Sequence, residues 1–94
     1  MDNHLVVIYT AVLEECRAFY SALGLELKAE QHGSGPVHYA AVLPHLVLEL
    51  YPPKDGQTTG PLRLGLHLRA TAEHPPGEHL LKDPEGRTIA VTWA

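Results

Sequence analysis

Apolar and polar positions alternate most cleanly over residues 62–69 (LRLGLHLR), with Leu62, Leu64, Leu66 and Leu68 on one side and Arg63, Gly65, His67 and Arg69 on the other. That two-residue period predicts a half-buried strand. The run His4–Tyr9 (HLVVIY) is β-branched and reads as a buried strand. Over Leu13–Leu23 (LEECRAFYSAL) the period becomes helical, with Leu13, Cys16, Phe19, Tyr20 and Leu23 along one stripe. Thr10 starts the turn into this helix, Glu14 and Glu15 suit the positive end of its dipole, and Gly24 ends it as a left-handed cap.

Further along, residues 25–30 (LELKAE) alternate as a second strand, and residues 32–36 (HGSGP) form a flexible turn. Residues 37–43 (VHYAAVL) and 45–51 (HLVLELY) predict two strands hinged at Pro44. Residues 52–61 break the pattern with three Pro and two Gly and read as a linker between two halves of one domain. Residues 70–77 (ATAEHPPG) are too short and too rich in proline for an ordinary helix. Asp83-Pro84-Glu85-Gly86 is turn chemistry: Pro84 presets φ, Asp83 accepts from nearby backbone N–H groups and Gly86 tolerates positive φ. It predicts a hairpin between residues 78–82 and Thr88–Trp93. No strict repeat links the halves, although each begins with a strand and ends with a hairpin.

Composition narrows the class. Ninety-four residues suffice for one domain with a modest core, so a stabilising partner, most simply a second copy, is expected. With 45% hydrophobic and 19% charged residues the chain is globular rather than disordered. No apolar run approaches the roughly 20 residues that cross a bilayer, and no basic region leads into a signal-like segment, so a cytoplasmic protein without membrane contact is expected. Net charge is −4 and the seven Lys and Arg are scattered, which argues against a nucleic-acid partner. The single Cys16 has no internal partner and reads as a small packing residue.

Three features together resemble the vicinal oxygen chelate superfamily, which includes glyoxalase I, bleomycin-resistance proteins and extradiol dioxygenases. They are Ala18-Phe19-Tyr20 followed by Leu23-Gly24-Leu25, the strand Leu48-Glu49-Leu50, and the terminal Asp83-Pro84-Glu85-Gly86. The resemblance implies an α+β fold of paired βαβββ-type modules with a concave mixed sheet. The first module would cover about 1–51 and the linker about 52–61. A reduced second module would cover about 62–94, lacking its helix. The resemblance also assigns the metal-ligand positions of metal-dependent members to Leu5, Glu49, Arg63 and Ala90. Only Glu49 can ligate: leucine and alanine have no lone pair, and the Arg guanidinium stays protonated. His4 is next to the first position, but strand parity turns it to the opposite face.

The same parity, applied to the concave face that the resemblance implies, gathers Tyr9, His45, Glu49, Tyr51, Arg63, His67 and Arg69 as candidate ligand-binding residues. Glu49 and Arg63 are expected to form an ion pair, with exposure of both in solvent as the alternative reading. The tyrosines offer aromatic faces and the Arg and His residues positive charge, which suits a planar or anionic ligand. Seven His raise the metal question. A site from His45, Glu49 and His67 has suitable ligands, but Arg63 and Arg69 flank His67 and no HxxxH or HExxH spacing supports it. His38 reads as a hydrogen-bonded core residue, and His32, His74 and His79 as exposed turn residues.

No GxSxG elbow, Gly-rich phosphate loop or close carboxylate pair is present. With Leu5, Arg63 and Ala90 at three of the four family positions, the expectation is a metal-free small-molecule-binding or accessory protein. The alternatives are a metal-dependent lyase or dioxygenase-like enzyme with an altered site, and a dimerisation module without ligand. Without a helix over the second sheet, the strip of Leu62, Leu64, Leu66 and Leu68 would stand in water, and a homodimer is expected to cover it with help from Ile89, Val91 and Trp93.

Overall fold

The β-branched run pairs in parallel with the fourth strand, and this pairing organises the first of two units in the computed structural model, which describes residues 4–94. The first unit ends at Thr59 and the second spans Gly60–Ala94. The first contains β1 (His4–Tyr9), α1 (Leu13–Leu23), β2 (Lys28–Glu30), β3 (His38–Val42) and β4 (Leu46–Tyr51). Its sheet runs β1-β4-β3-β2, with β1 and β4 parallel and the remaining pairs antiparallel, a complete βαβββ module.

The helix has the bounds its spacing predicts. Gly24 takes φ 116°, its N–H bonds to the Ser21 carbonyl at 3.0 Å and the next N–H, of Leu25, reaches the Tyr20 carbonyl at 3.3 Å. This paired closure, with Tyr20 and Leu25 both buried, is a Schellman cap. At the other end the Thr10 hydroxyl accepts from the Val12 N–H at 3.2 Å and lies 3.4 Å from Cys16 Sγ. Cys16 is a buried packing residue. The buried face of α1 (Cys16, Tyr20, Leu23) and the buried strand positions Ile8, Ala41, Leu48 and Leu50 make up the core of this unit.

Strand ends shift by a residue in several places, and two starts move for a local reason. The second strand begins at Lys28 rather than Leu25, because the backbone and side chain of Leu25 are committed to closing the helix. The fourth begins at Leu46 rather than His45, because the Leu43 N–H bonds to the Leu46 carbonyl at 2.7 Å and leaves Pro44 and His45 as the hairpin tip. The stretch read as a linker is also structured. Asp55 (φ 51°) and Gly56 (φ 75°) make a turn with both central residues left-handed, closed by two 2.9 Å hydrogen bonds between Lys54 and Gln57. Beyond it, the Thr59 N–H bonds to the Tyr9 carbonyl and the Tyr9 N–H to the Thr59 hydroxyl, each at 2.8 Å.

The second unit contains β5 (Arg63–Leu68), β6 (Gly77–Lys82) and β7 (Thr88–Trp93) in the order β5-β7-β6, with β5 and β7 parallel. It repeats the β1-β4-β3 arrangement and lacks the helix and the outer strand. The architecture is therefore α+β, with a second module that has no helix. The alternation in β5 is borne out: Leu64 and Leu66 are buried, while Arg63, Gly65 and His67 are exposed.

The leucine strip corrects one expectation. Leu64 and Leu66, with their register partners Ile89 and Val91, are buried within a single chain and need no second copy. His74 corrects another. A turn in which the Thr71 N–H bonds to the His74 carbonyl at 2.8 Å brings the imidazole flat onto Trp93, with ring centroids 4.3 Å apart and planes 3° apart. His74 is thus partly buried. His79 is exposed, as expected, and also meets the edge of the Trp93 ring at 5.4 Å.

The Asp83–Arg87 segment is a turn, as its residues predict, with an unforeseen centre. Asp83 Oδ1 accepts from the N–H groups of Glu85 (2.9 Å) and Arg87 (3.0 Å), while Oδ2 accepts from Arg87 Nη1 at 2.8 Å. Both side chains are almost fully buried, at 0% and 2% exposure. Arg87 Nη2 also bonds to Glu85 Oε1 at 2.5 Å. Removing one member of such a pair leaves an uncompensated buried charge. Arg87→Ala is expected to lower the unfolding free energy by about 3–5 kcal/mol in urea denaturation. A loss within about 1 kcal/mol, the range of exposed pairs, would show that the segment does not depend on this charge.

Candidate functional site

Strand parity gives the first unit's sheet two different faces. Ile8, Leu48 and Leu50 point to the core, so Leu5, Val7 and Tyr9 of β1 and Val47, Glu49 and Tyr51 of β4 lie on the other face. Across that face a row of polar and aromatic groups runs through all four strands. Tyr9 is paired with Tyr51, and their rings stand 5.7 Å apart. The Tyr51 ring stacks on His38 with centroids 4.0 Å apart and planes 8° apart, and the Tyr51 hydroxyl is 3.2 Å from His38 Nε2. His38 in turn is paired with Glu30, whose Oε1 lies 3.3 Å from the same nitrogen. His38 is 1% exposed, a hydrogen-bonded core histidine as its strand position predicts.

At the Tyr9 end the row opens into a cavity of about 390 Å³ lined by Tyr9, Tyr51, Pro36, Pro52, Pro53 and the Lys54–Asp55 pair. That volume lies within the ~300–1,000 Å³ of small-molecule pockets. Two tyrosines and three prolines make rigid apolar walls, while Lys54 and Asp55 place one charge of each sign at the rim. A shallower cleft of about 280 Å³ in the second unit involves Ala90 and Thr92 with Glu78, His79 and Leu80, and no tyrosine lines it.

Of the residues expected to bind ligand, Tyr9 and Tyr51 are brought together. Glu49 is half-buried two positions before Tyr51, beside Val7 and Ala40. His45 is exposed at the hairpin tip, six residues from Tyr51 and so roughly 20 Å away along an extended strand. Arg63 and His67 are exposed on β5, and Arg69 is exposed just past its end. At the remaining family metal positions, Leu5 is 60% exposed and Ala90 is partly buried.

The lining residues Pro36, Pro52, Pro53, Lys54 and Asp55 escaped the sequence reading because they sit in segments read as turn and linker. Asp55-Gly56 was the available signal, since that dipeptide favours the left-handed turn found there. Among the described residues, one group of potential metal ligands brings its atoms within 4.8 Å of one another, and it is Glu30, His32 and His38 rather than any set containing His45.

No protein-family model and no curated protein sequence matches the chain. Its fold is similar to that of TnmS3, an antibiotic binding protein from Streptomyces sp. CB03234, with a TM-score of 0.69 and 19% identity over 99% of this chain and 95% of that one. A putative glyoxalase/fosfomycin resistance protein, YycE from Bacillus subtilis, gives 0.63 and 19% over 98% and 89%. An integron cassette protein from the mobile metagenome of V. cholerae gives 0.61 and 20% over 99% and 94%. The chain shares the fold of these proteins, and within it carries one full βαβββ module and one reduced to three strands. Among the described residues, no helix is long and apolar enough to cross a membrane.

Electrostatics single out Tyr51. Burial raises the pKa of its phenol, and the negative charge of Glu49 raises it further. Tyr39 is raised for another reason, since its hydroxyl donates to Glu14 Oε2 at 2.5 Å. A pKa raised on folding favours the neutral phenol in the native state. The stability this contributes is complete below the ordinary phenol value near 10 and is lost as pH climbs through the raised values. Ultraviolet titration is expected to show Tyr39 and Tyr51 ionising late. Tyr51→Phe should remove one late step and Glu49→Gln should move it earlier; an unchanged profile in both variants would contradict the assignment.

Proposed function

We propose that the chain is a small-molecule-binding protein that takes a planar organic ligand between the walls of the Tyr9–Tyr51 cavity. The observation that carries this reading is the cavity itself: two aromatic side chains held by the parallel register of β1 and β4, backed by three prolines. An antibiotic binding protein of the same fold supports it. Binding here draws on no metal at the family positions, since Leu5, Arg63 and Ala90 cannot ligate. Lys54, at the rim of the cavity, is the cationic group that would favour anionic members of a ligand series.

The test is a calorimetric and thermal-shift screen of planar aromatic compounds, each with and without a carboxylate. Tyr9→Ala and Tyr51→Ala are expected to weaken binding of any hit at least tenfold, about 1.4 kcal/mol, the scale of an aromatic contact together with its buried area. Lys54→Ala is expected to weaken only the carboxylates. A screen without hits, or hits that survive both tyrosine changes, would overturn the reading.

Homodimerisation belongs to the same proposal on grounds other than the leucine strip. Leu5 (60% exposed), Val47 and Val42 (77% exposed) form an apolar row across β1, β4 and β3 on the pocket face. A second copy covering this row is expected to give a dimer in sedimentation at micromolar concentration, and Val42→Lys a monomer. A wild-type monomer would remove the dimer from the proposal.

A further inference from the structure

We propose that Glu30, His32 and His38 form a binding site for a divalent transition metal, zinc being the type ion, at the edge of the first sheet. This site is separate from Leu5, Glu49, Arg63 and Ala90, and it does not rest on the reading of the tyrosine cavity as a ligand site.

Four observations converge on it. The first is donor chemistry: two imidazoles and one carboxylate are borderline ligands suited to zinc and its neighbours, and three protein ligands leave a fourth position for solvent. The second is spacing. Glu30 Oε1 lies 3.3 Å from His38 Nε2 and 3.7 Å from His32 Nε2, and all three ligand atoms are within 4.8 Å of one another. Ligands at about 2.0–2.1 Å from a tetrahedral ion must lie roughly 3.3–3.4 Å apart. Two of the three edges are therefore nearly at the required length, and the third closes by a small rotation of His32, whose side chain is 74% exposed.

The third observation is the support behind His38. Its Nδ1 lies 3.2 Å from the Pro36 carbonyl, an acceptor only, so Nδ1 carries the proton. In the neutral ring that leaves Nε2 with its lone pair aimed at Glu30. A ligating histidine whose other nitrogen donates to a backbone carbonyl is the usual outer-shell arrangement of metal sites. The fourth is the loop carrying His32. The Gly35 N–H bonds to the His32 carbonyl at 3.0 Å, and Gln31 Nε2 donates to the Gly35 carbonyl at 2.8 Å. A Cβ at Gly35 would come within 3.1 Å of the His32 carbonyl, so glycine there lets the turn close tightly beside the site.

The site also reaches the tyrosine row. The Tyr51 hydroxyl lies 3.2 Å from the same nitrogen and the Tyr51 ring covers the face of His38, so the site adjoins that row.

The experiment uses the full chain without a histidine tag. Titration with zinc chloride by calorimetry is expected to show one ion per chain, and cobalt(II) to give the intense visible bands of a tetrahedral site. His32→Ala and Glu30→Gln each change an exposed side chain and leave the buried His38 in place, so both variants should fold. Each is expected to weaken zinc binding at least tenfold. Wild-type protein that binds no zinc at millimolar concentration overturns the proposal, as do losses below tenfold in both variants. A tenfold loss in His45→Ala or His67→Ala, with His32→Ala unaffected, would place the ion on the His45, Glu49 and His67 set and equally overturn it.

Discussion

The parallel register of β1 on β4 is the constraint from which the first unit's chemistry follows. Pairing Tyr9 with Tyr51 and Ile8 with Leu50 sends both members of one pair to the helix and both members of the next to the open face. A slip of one position in either strand would separate the two tyrosines and drive a polar side chain under α1. Because Ile8, Leu48 and Leu50 are all fully buried, such a slip would expose much of the unit's core, and the register is held by that cost. The aromatic row is thus a by-product of core packing: the residues that must be inside fix the residues that cannot be.

The second unit meets the same requirement with fewer elements. Its sheet keeps the strand order of the first but has neither helix nor outer strand, so burial falls to the turns and to side chains packed at the ends. His74 laid flat on Trp93 is one such device. The Asp83–Arg87 pair is another, and it trades apolar burial for a hydrogen-bonded charge. A buried ion pair of this kind is a weak source of net stability but fixes geometry, because both carboxylate oxygens and two backbone N–H groups are specified by one turn.

Much of this was legible in the residues. The helix came out with its observed bounds because amphipathic spacing, acidic residues in the first turn and a glycine at the end agree. The alternation in β5 was equally plain. What sequence could not supply was anything that depends on one strand's position beside another. Glu30 and His38 are eight residues apart and meet only because β2 and β3 pair. His32 read as an ordinary exposed turn residue, which it is by exposure, while the turn also holds it beside that pair. The cavity walls were hidden for a further reason: prolines and a charged Asp-Gly turn look like linker composition, and the two hydrogen bonds joining Tyr9 and Thr59 have no local signature.

His38 is where these threads join. Its Nδ1 is committed to the Pro36 carbonyl, its ring face to Tyr51, and its Nε2 lone pair lies beside the Glu30 carboxylate, two acceptors that a bound cation would join. The proposed metal site and the proposed ligand cavity therefore share one ring, with Glu30 at its edge and Tyr51 on its face. The link is one stacked pair of side chains, rings 4.0 Å apart, on adjacent strands of one sheet. Because that pair belongs to the packed sheet, the ring that carries the metal donor is held in place by the same aromatic row that lines the cavity.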